Sequence, residues 1–392
     1  MLTRRHYVGG SLMALNEPQA FSVPSKESAL AFDAAQLCLT NEIFQLIDQH
    51  RESKNIIERW LLSMMNMPQS NHILPGHILP GHNLPGHNLP GQILPGQIGI
   101  YRHTNITDPI NVQFQTELLE KKVVPPSKVD SLVQHILDMV DKFLQTTITV
   151  TSENIICNDV LQYTCGLSQA NAQAPRFEKF QFTHQVDLAT ERLLQIGGCT
   201  ATVAAALRYA ALMPAGQQWG IPQAHIDFLY NEWSVRNEAF ASPFNSRLVG
   251  KPGASFCSIF EEDKVFGSIG DFFAQTTLSG NWVVNPPFVD ELLVRAVQKC
   301  LKALEHNADR VQTIFFIMPA WQDSQAYELL HKSQYTAAEL FLKPGTYYYE
   351  SPNGKRINTR AGSIYFALSQ IPEPAVESRW HIRHMRALEQ IH

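Results

Sequence analysis

Apolar positions along the chain change their period at several points, and each change predicts an element. Between residues 28 and 65, Leu30, Leu37, Ile43, Phe44, Ile47, Ile56, Ile57, Trp60 and Leu61 recur at helical spacing, which predicts two short helices before Met67-Pro68 ends the pattern. Residues 127–145 predict an amphipathic helix with Leu132, Val133, Ile136, Leu137, Val140, Phe143 and Leu144 as its apolar stripe, begun by Ser127 and Asp130 after Pro125-Pro126. Residues 187–213 are helical in pattern, interrupted at Gly197-Gly198 and stopped by Pro214. Beyond them a helix over 222–230 is followed by a strand over 234–241. A second strand at 281–284 precedes a helix over 289–306, and the apolar run 311–318 predicts a strand covered on both faces. Tyr347-Tyr348-Tyr349 and 363–368 predict strands, with Asn353-Gly354 between them as a hairpin turn.

Strand, helix, strand and then a terminal hairpin indicate an α/β sheet with an antiparallel end. The expected organisation is an N-terminal helical segment (1–70), a repeat linker (71–99), a helical domain (100–215), a catalytic α/β domain (216–371) and a basic tail (372–392) carrying Arg379, Arg383 and Arg386. The linker reads ILPGH, ILPGH, NLPGH, NLPGQ, ILPGQ. Pro lacks a donor and Gly costs entropy in every unit, so the repeat continues neither a helix nor a central strand and reads as a turn-rich spacer. A metal tract through His72, His77, His82 and His87 ranks below that reading, because five-residue spacing puts no two of them on one helical face.

Composition narrows the class. The chain has 392 residues, 44% of them apolar and 17% charged, with a formal net charge of −5, so any nucleic-acid surface must be a local patch. The six cysteines (Cys38, Cys157, Cys165, Cys199, Cys257, Cys300) are scattered without a Cys-x-x-Cys pair, which gives no metal site and points to free thiols in a reducing, intracellular compartment. No apolar run is long enough to span a membrane. Arg4 and Arg5 precede a short apolar stretch in the manner of a signal peptide, but Gly9-Gly10 dilute it and Glu17 ends it. No Gly-x-Gly-x-x-Gly occurs, so a nicotinamide enzyme is not supported.

The candidate chemistry lies at Asn285-Pro286-Pro287-Phe288, between an apolar strand and an amphipathic helix. Such a junction is where open α/β sheets hold ligands. The exocyclic amine of adenine is a poor nucleophile, because its lone pair is delocalised into the ring. An acceptor on each hydrogen draws the nitrogen toward tetrahedral geometry, and the Asn285 side-chain oxygen and the Pro286 carbonyl are the two candidates. The prolines fix the backbone, and Phe288 can stack on the base. The plainer alternative is a strand-ending turn. A second loop, Glu238 to Asn245, leaves the earlier strand with small residues. There Glu238 can accept hydrogen bonds from a ribose or amino-acid moiety, and Ala241 and Ser242 allow close approach. The plainer alternative for this loop is an ordinary β–α turn. Phe266-Gly267-Ser268-Ile269-Gly270 is a third small-residue loop.

The ordered set Leu207-Arg208-Tyr209, Glu238 to Asn245, Phe266 to Gly270, Ser279-Gly280, Asn285 to Phe288 and Phe315 to Trp321 resembles the phosphorylated-CTD-interacting factor family of cap-specific adenosine N6-methyltransferases, from about Leu207 to Gln370. The resemblance implies a class I, Rossmann-like methyltransferase core using S-adenosylmethionine, with Asn285, Pro286, Pro287 and Phe288 as the adenine site. It places Glu238, Phe240, Ala241, Ser242, Pro243, Asn245, Phe266 and Gly267 on the methyl-donor side. Lys343, Lys355, Arg356, Arg360 and Trp321 are the candidate nucleic-acid contacts. The family's WW domain needs two tryptophans about twenty residues apart. Only Trp60 precedes the core, so polymerase-tail binding is not carried over. The family's Pro-Glu-Trp reads Pro319-Ala320-Trp321 here, without the acidic residue. The implied function is adenine N6-methylation of RNA at a cap-adjacent adenosine of mRNA. Phage-type DNA adenine methyltransferases carry a similar loop and motif, which leaves DNA as an alternative, and a catalytically inactive binding module is a third reading. The partner of the N-terminal helices is not indicated.

Overall fold

The computed structural model describes residues 25–47, 56–61, 92–93, 109–145, 148–169, 177–212, 218–306, 312–345, 347–359 and 361–370. Most of the Leu-Pro-Gly repeat with its histidines, Arg360 and the basic tail lie outside the described residues. The chain divides into two compact units: the segment up to Val186 with Cys199–Pro214, and Asp187–Gly198 with Ala215 onward.

In the first unit, α1 (Ser25–Leu46) and a helical stretch at 56–61 bury Leu30, Leu37, Ile43, Ile56, Ile57, Trp60 and Leu61, as the helical spacing predicted. Trp60 stacks on Phe114 at 4.6 Å and donates Nε1–H to Asn111 Oδ1 at 2.8 Å, which fastens the stretch to α2 (Pro109–Glu120). The amphipathic α3 (Pro126–Gln145) buries Val129, Val133, Ile136, Leu137 and Val140. The sequence reads as a helical domain over 100–215, and the structure adds strands between its helices. A two-residue edge strand β1 (Gln92–Ile93) pairs with β2 (Ile148–Cys157), which continues through β3 (Val160–Gln169) and β4 (Phe177–Gln185) as an antiparallel meander. The cause is local: the β-branched run Thr146 to Thr151 favours strand, and Asn158-Asp159 turns the chain between β2 and β3. The six cysteines are not all free either. Cys157 at the end of β2 is joined to Cys199 in a disulfide, Cα to Cα 6.0 Å, and their separation of 42 residues carries no local sequence signal.

Helix α4 (Leu188–Ala211) starts where Asp187 Oδ1 accepts from the Thr190 N–H at 2.9 Å, and breaks at Gly198, whose φ of 73° suits glycine.

The second unit is built on a six-stranded mixed sheet. Its strands are β5 (Val235–Ala239), β6 (Ser255–Phe256), β7 (Asn281–Val284), β8 (Thr313–Pro319), β9 (Thr336–Leu342) and β12 (Ser363–Ser369), in the order β6-β5-β7-β8-β12-β9. β6, β5, β7 and β8 run parallel, and β12 is antiparallel to both neighbours. Every residue of β8 is buried, and its side chains alternate. Phe315 and Ile317 join a core with α5 (Gln223–Glu232), while Ile314, Phe316 and Met318 join a core with α6 (Asp290–His306). Each fully buried Phe or Ile contributes about 1.5–3 kcal/mol. The strand that the sequence predicted to be covered on both faces is therefore the spine of the sheet.

Three elements carried too little pattern to be predicted: two-residue β6, α7 (Gln325–His331) and β9. The terminal hairpin also differs. Asn353-Gly354 lies between β10 (Tyr348–Glu350) and β11 (Arg356–Asn358), a separate two-stranded ribbon, while 363–369 enters the main sheet. The turn closes on the nearest extended segment, a short polar strand whose alternation is too brief to read.

Candidate functional site

The strand order reverses between β5 and β7: the chain leaves β5 for β6 on one side and returns to β7 on the other. In an open α/β sheet the crevice at the carboxyl ends of such a pair is the expected ligand position. Ala239 and Val284, the last residues of the two strands, are paired in register, so the segments 240–248 and 285–288 leave the sheet side by side.

After β7, the Pro287 carbonyl accepts from the Val289 N–H at 2.8 Å, and α6 begins at Asp290. Asn285 Oδ1 is buried and has no hydrogen-bond partner among the described residues. An unsatisfied buried acceptor costs about 1–3 kcal/mol, so this oxygen is poised to receive a donor. The Phe288 ring meets Trp321 edge-on at 6.4 Å and Tyr349 at 5.9 Å, and the Tyr349 hydroxyl is fixed by Ser363 Oγ at 2.7 Å. An orphaned acceptor beside an aromatic wall suits a flat heterocycle with an exocyclic amine.

After β5, the backbone is strained. Phe240 has φ 60°, a left-handed conformation that costs a non-glycine residue about 1–2 kcal/mol. Its ring is clamped by Phe272 at 4.9 Å and Phe273 at 5.4 Å. The Ala241 N–H donates to Cys257 O at 2.9 Å, and the Cys257 N–H donates to Glu238 O at 2.8 Å. Residues 241–249 are all buried, Pro243 included. Ser242 and Asn245 close the turn on each other: the Ser242 N–H donates to Asn245 Oδ1 at 2.7 Å, and the Asn245 N–H donates to Ser242 Oγ at 3.2 Å. Glu238 is buried, which pushes its carboxyl up from the usual range, and its Oε2 accepts from Ser246 Oγ at 2.7 Å and the Arg247 N–H at 3.1 Å. These three polar side chains, read from sequence as ligand contacts, thus shape the loop.

Beyond β6, Phe266 is buried in a short 3-10 turn (Glu261–Phe266) that Gly267 ends with φ 97°. The loop continues alongside β6, with the Ile269 N–H donating to Phe256 O at 2.8 Å. Lys343 is exposed after β9, and Lys355 and Arg356 are exposed on the ribbon, where the Arg356 guanidinium lies 4.5 Å from the Tyr348 ring centroid. Arg360 falls outside the described residues. Three residues that sequence reading passed over belong to this region: Arg247, Glu350 and Gln218, the last accepting from Ser242 Oγ. Among the described residues no group of three or more His, Cys, Asp or Glu is placed to hold a metal, and no helix is long and apolar enough to cross a membrane.

The fold and this site define a mixed α/β protein in which the loops after β5 and β7 leave the sheet side by side at a switch point. Residues 197–352 match the family model described as "Phosphorylated CTD interacting factor 1 WW domain". That segment is similar to the phosphorylated CTD interacting factor 1 family; despite the description, its strands here are those of the mixed sheet and the ribbon. Two curated relatives, from Mus musculus and Homo sapiens, carry the name "mRNA (2'-O-methyladenosine-N(6)-)-methyltransferase" and are 32% and 30% identical over 139 residues. That stretch is 35% of this chain and 19% of each relative, so the similarity spans about a fifth of their length. A solved structure from Thermoplasma acidophilum aligns to 46% of this chain and 95% of its own at 15% identity, and its TM-score of 0.25 is too low to carry an argument.

Proposed function

We propose that the chain is an S-adenosylmethionine-dependent adenine N6-methyltransferase acting on RNA, at the cap-adjacent adenosine of mRNA. The observation that carries the reading is Asn285 Oδ1, a buried, partnerless acceptor beside Phe288 at the switch point of the sheet. It lies within residues 197–352, which match the phosphorylated CTD interacting factor 1 family model. Parallel strands β6-β5-β7-β8 followed by reversed β12 support a class I methyltransferase-like, Rossmann-like sheet.

The donor side fits the buried loop after β5. Phe240, Ala241 and Pro243 would hold the donor there with Phe266 and Gly267, while Glu238, Ser242 and Asn245 keep the loop in shape. When bound, S-adenosylmethionine supplies an electrophilic methyl group on its sulfonium. Asn285 Oδ1 and the Pro286 carbonyl accept the two amino hydrogens, turning the nitrogen lone pair out of conjugation and toward the donor side. Phe288, braced by Trp321 and Tyr349, stacks on the base and fixes its plane. Catalysis of this kind comes from orientation and preorganised dipoles, with no strong general base. Lys343, Lys355, Arg356 and Arg360 would contact phosphates as a local basic patch on a chain of net charge −5.

The test is methyl transfer to matched m7G-capped RNA, uncapped RNA and single-stranded DNA oligonucleotides. Product confined to capped RNA is expected. Product on DNA at an equal or higher rate would replace the substrate class while keeping the chemistry. Binding of RNA without donor binding would favour the inactive-module reading.

A further inference from the structure

We propose that Arg247 is a positioning residue that couples the methyl-donor loop to the base slot, so that occupation of either tightens binding at the other. The inference rests on the reading of the two loops given above. Arg247 lies in the buried segment after β5 and is 6% exposed. Its backbone N–H donates to Glu238 Oε2 at 3.1 Å, at the strand end that carries the donor loop. Its guanidinium Nη2 donates to Ser351 O at 3.0 Å and lies 3.5 Å from Glu350 Oε2, at the end of β10.

Glu350 is itself anchored on its other sides. Its Oε2 accepts from the Gln223 N–H at 3.0 Å, and its backbone exchanges hydrogen bonds with Gly220 at 2.8 and 2.9 Å. The residue before it, Tyr349, is a wall of the Phe288 slot. One arginine therefore bridges the segment that shapes the donor loop and the strand that braces the base platform. Both contacts are made by one nitrogen, Nη2, of a planar, permanently charged group whose donor directions are fixed, whereas the donors of an ammonium rotate. A buried ion pair is a poor source of stability alone, because desolvation offsets the attraction. Joined segments, however, share their ordering cost: a ligand that orders one leaves less for the second ligand to order. Such coupling is reciprocal.

The experiment uses the full chain and titration calorimetry. The ligands are S-adenosylhomocysteine and an m7G-capped RNA oligonucleotide starting with 2'-O-methyladenosine. In the unmodified protein, excess S-adenosylhomocysteine should tighten RNA binding by about 5-fold or more. In Arg247→Lys and Glu350→Gln the ratio should fall to about 1, with S-adenosylhomocysteine affinity measured alone kept within about 3-fold. Glu350→Gln retains an acceptor for Gln223 and decides the matter if Arg247→Lys unfolds. A ratio of 1 in the unmodified protein, or an unchanged ratio in the folded variants, overturns the inference while leaving the proposed function standing. Failure of the unmodified protein to bind either ligand removes both.

Discussion

Two residues at the carboxyl edge of the sheet depart from what a merely structural site would favour. Asn285 keeps a buried acceptor without a partner, and Phe240 keeps a left-handed backbone that a glycine would adopt without cost. Both are held by their surroundings, Asn285 by the two prolines that follow it and Phe240 by the aromatic clamp of Phe272 and Phe273. Strain of this kind is tolerated where the surrounding structure over-determines it, and it gathers at ligand sites. Phe240→Ala and Phe240→Gly both lose the ring, but only glycine relieves the backbone. Urea unfolding should therefore show the glycine variant more stable than the alanine variant by about 1 kcal/mol. The reverse order would mean that the φ of Phe240 relaxes at no cost. Asn285 stood out in the sequence, because the chemistry proposed for it needs only four adjacent residues. Arg247 and Glu350 did not, since the contacts of the Arg247 guanidinium join positions 103 and 104 residues apart and neither residue sits in a motif. The polar side chains of Glu238, Ser242 and Asn245 were found as a group, but burial turned them inward to build the loop.

At the scale of elements, pattern length decided what could be read. β8, with seven consecutive buried residues, and α6, with its one apolar face, stand where the periodicity put them. β6, with two residues, had no pattern to show, and β9, although as long as β8, is an edge strand whose buried, half-buried and exposed positions follow no regular alternation. The meander β2–β3–β4 was missed for a different reason: its strands mix polar with apolar residues and lack the continuous apolar runs that marked the other strands. The repeat preceding it contributes one described piece, Gln92–Ile93, as the edge of that sheet. A two-residue edge ladder adds little stability, so deleting Ile73 to Gln97 should leave methyl transfer to short substrates within about 3-fold. Loss of transfer in a folded deletion variant would show that the repeat contributes to the site.

For the molecule as a whole, acid stability should be set in part by His225. It is fully buried on α5, with its Nδ1 3.1 Å from the Tyr347 hydroxyl and 3.1 Å from the Tyr365 hydroxyl, and burial lowers its pKa to about 3. The unfolded chain takes up the proton near pH 6.5 and the folded chain does not, so stability is full above about 6.5 and falls as the pH drops toward 3. Urea midpoints followed from pH 7 to 4 should decline less steeply in His225→Asn than in the unmodified protein, and parallel declines would contradict that role. The central claim is narrower: the amide of Asn285 holds an adenine amino group for methylation. Its most direct measurement is transfer from labelled S-adenosylmethionine to m7G-capped RNA starting with adenosine, with N6-methyladenosine read by mass spectrometry, in the unmodified chain and in Asn285→Ala. The account predicts product from the unmodified chain and a loss of about 10²–10³-fold or more in the variant, with donor affinity within about 3-fold. Undiminished product from Asn285→Ala, or a variant that no longer binds the donor, would contradict it.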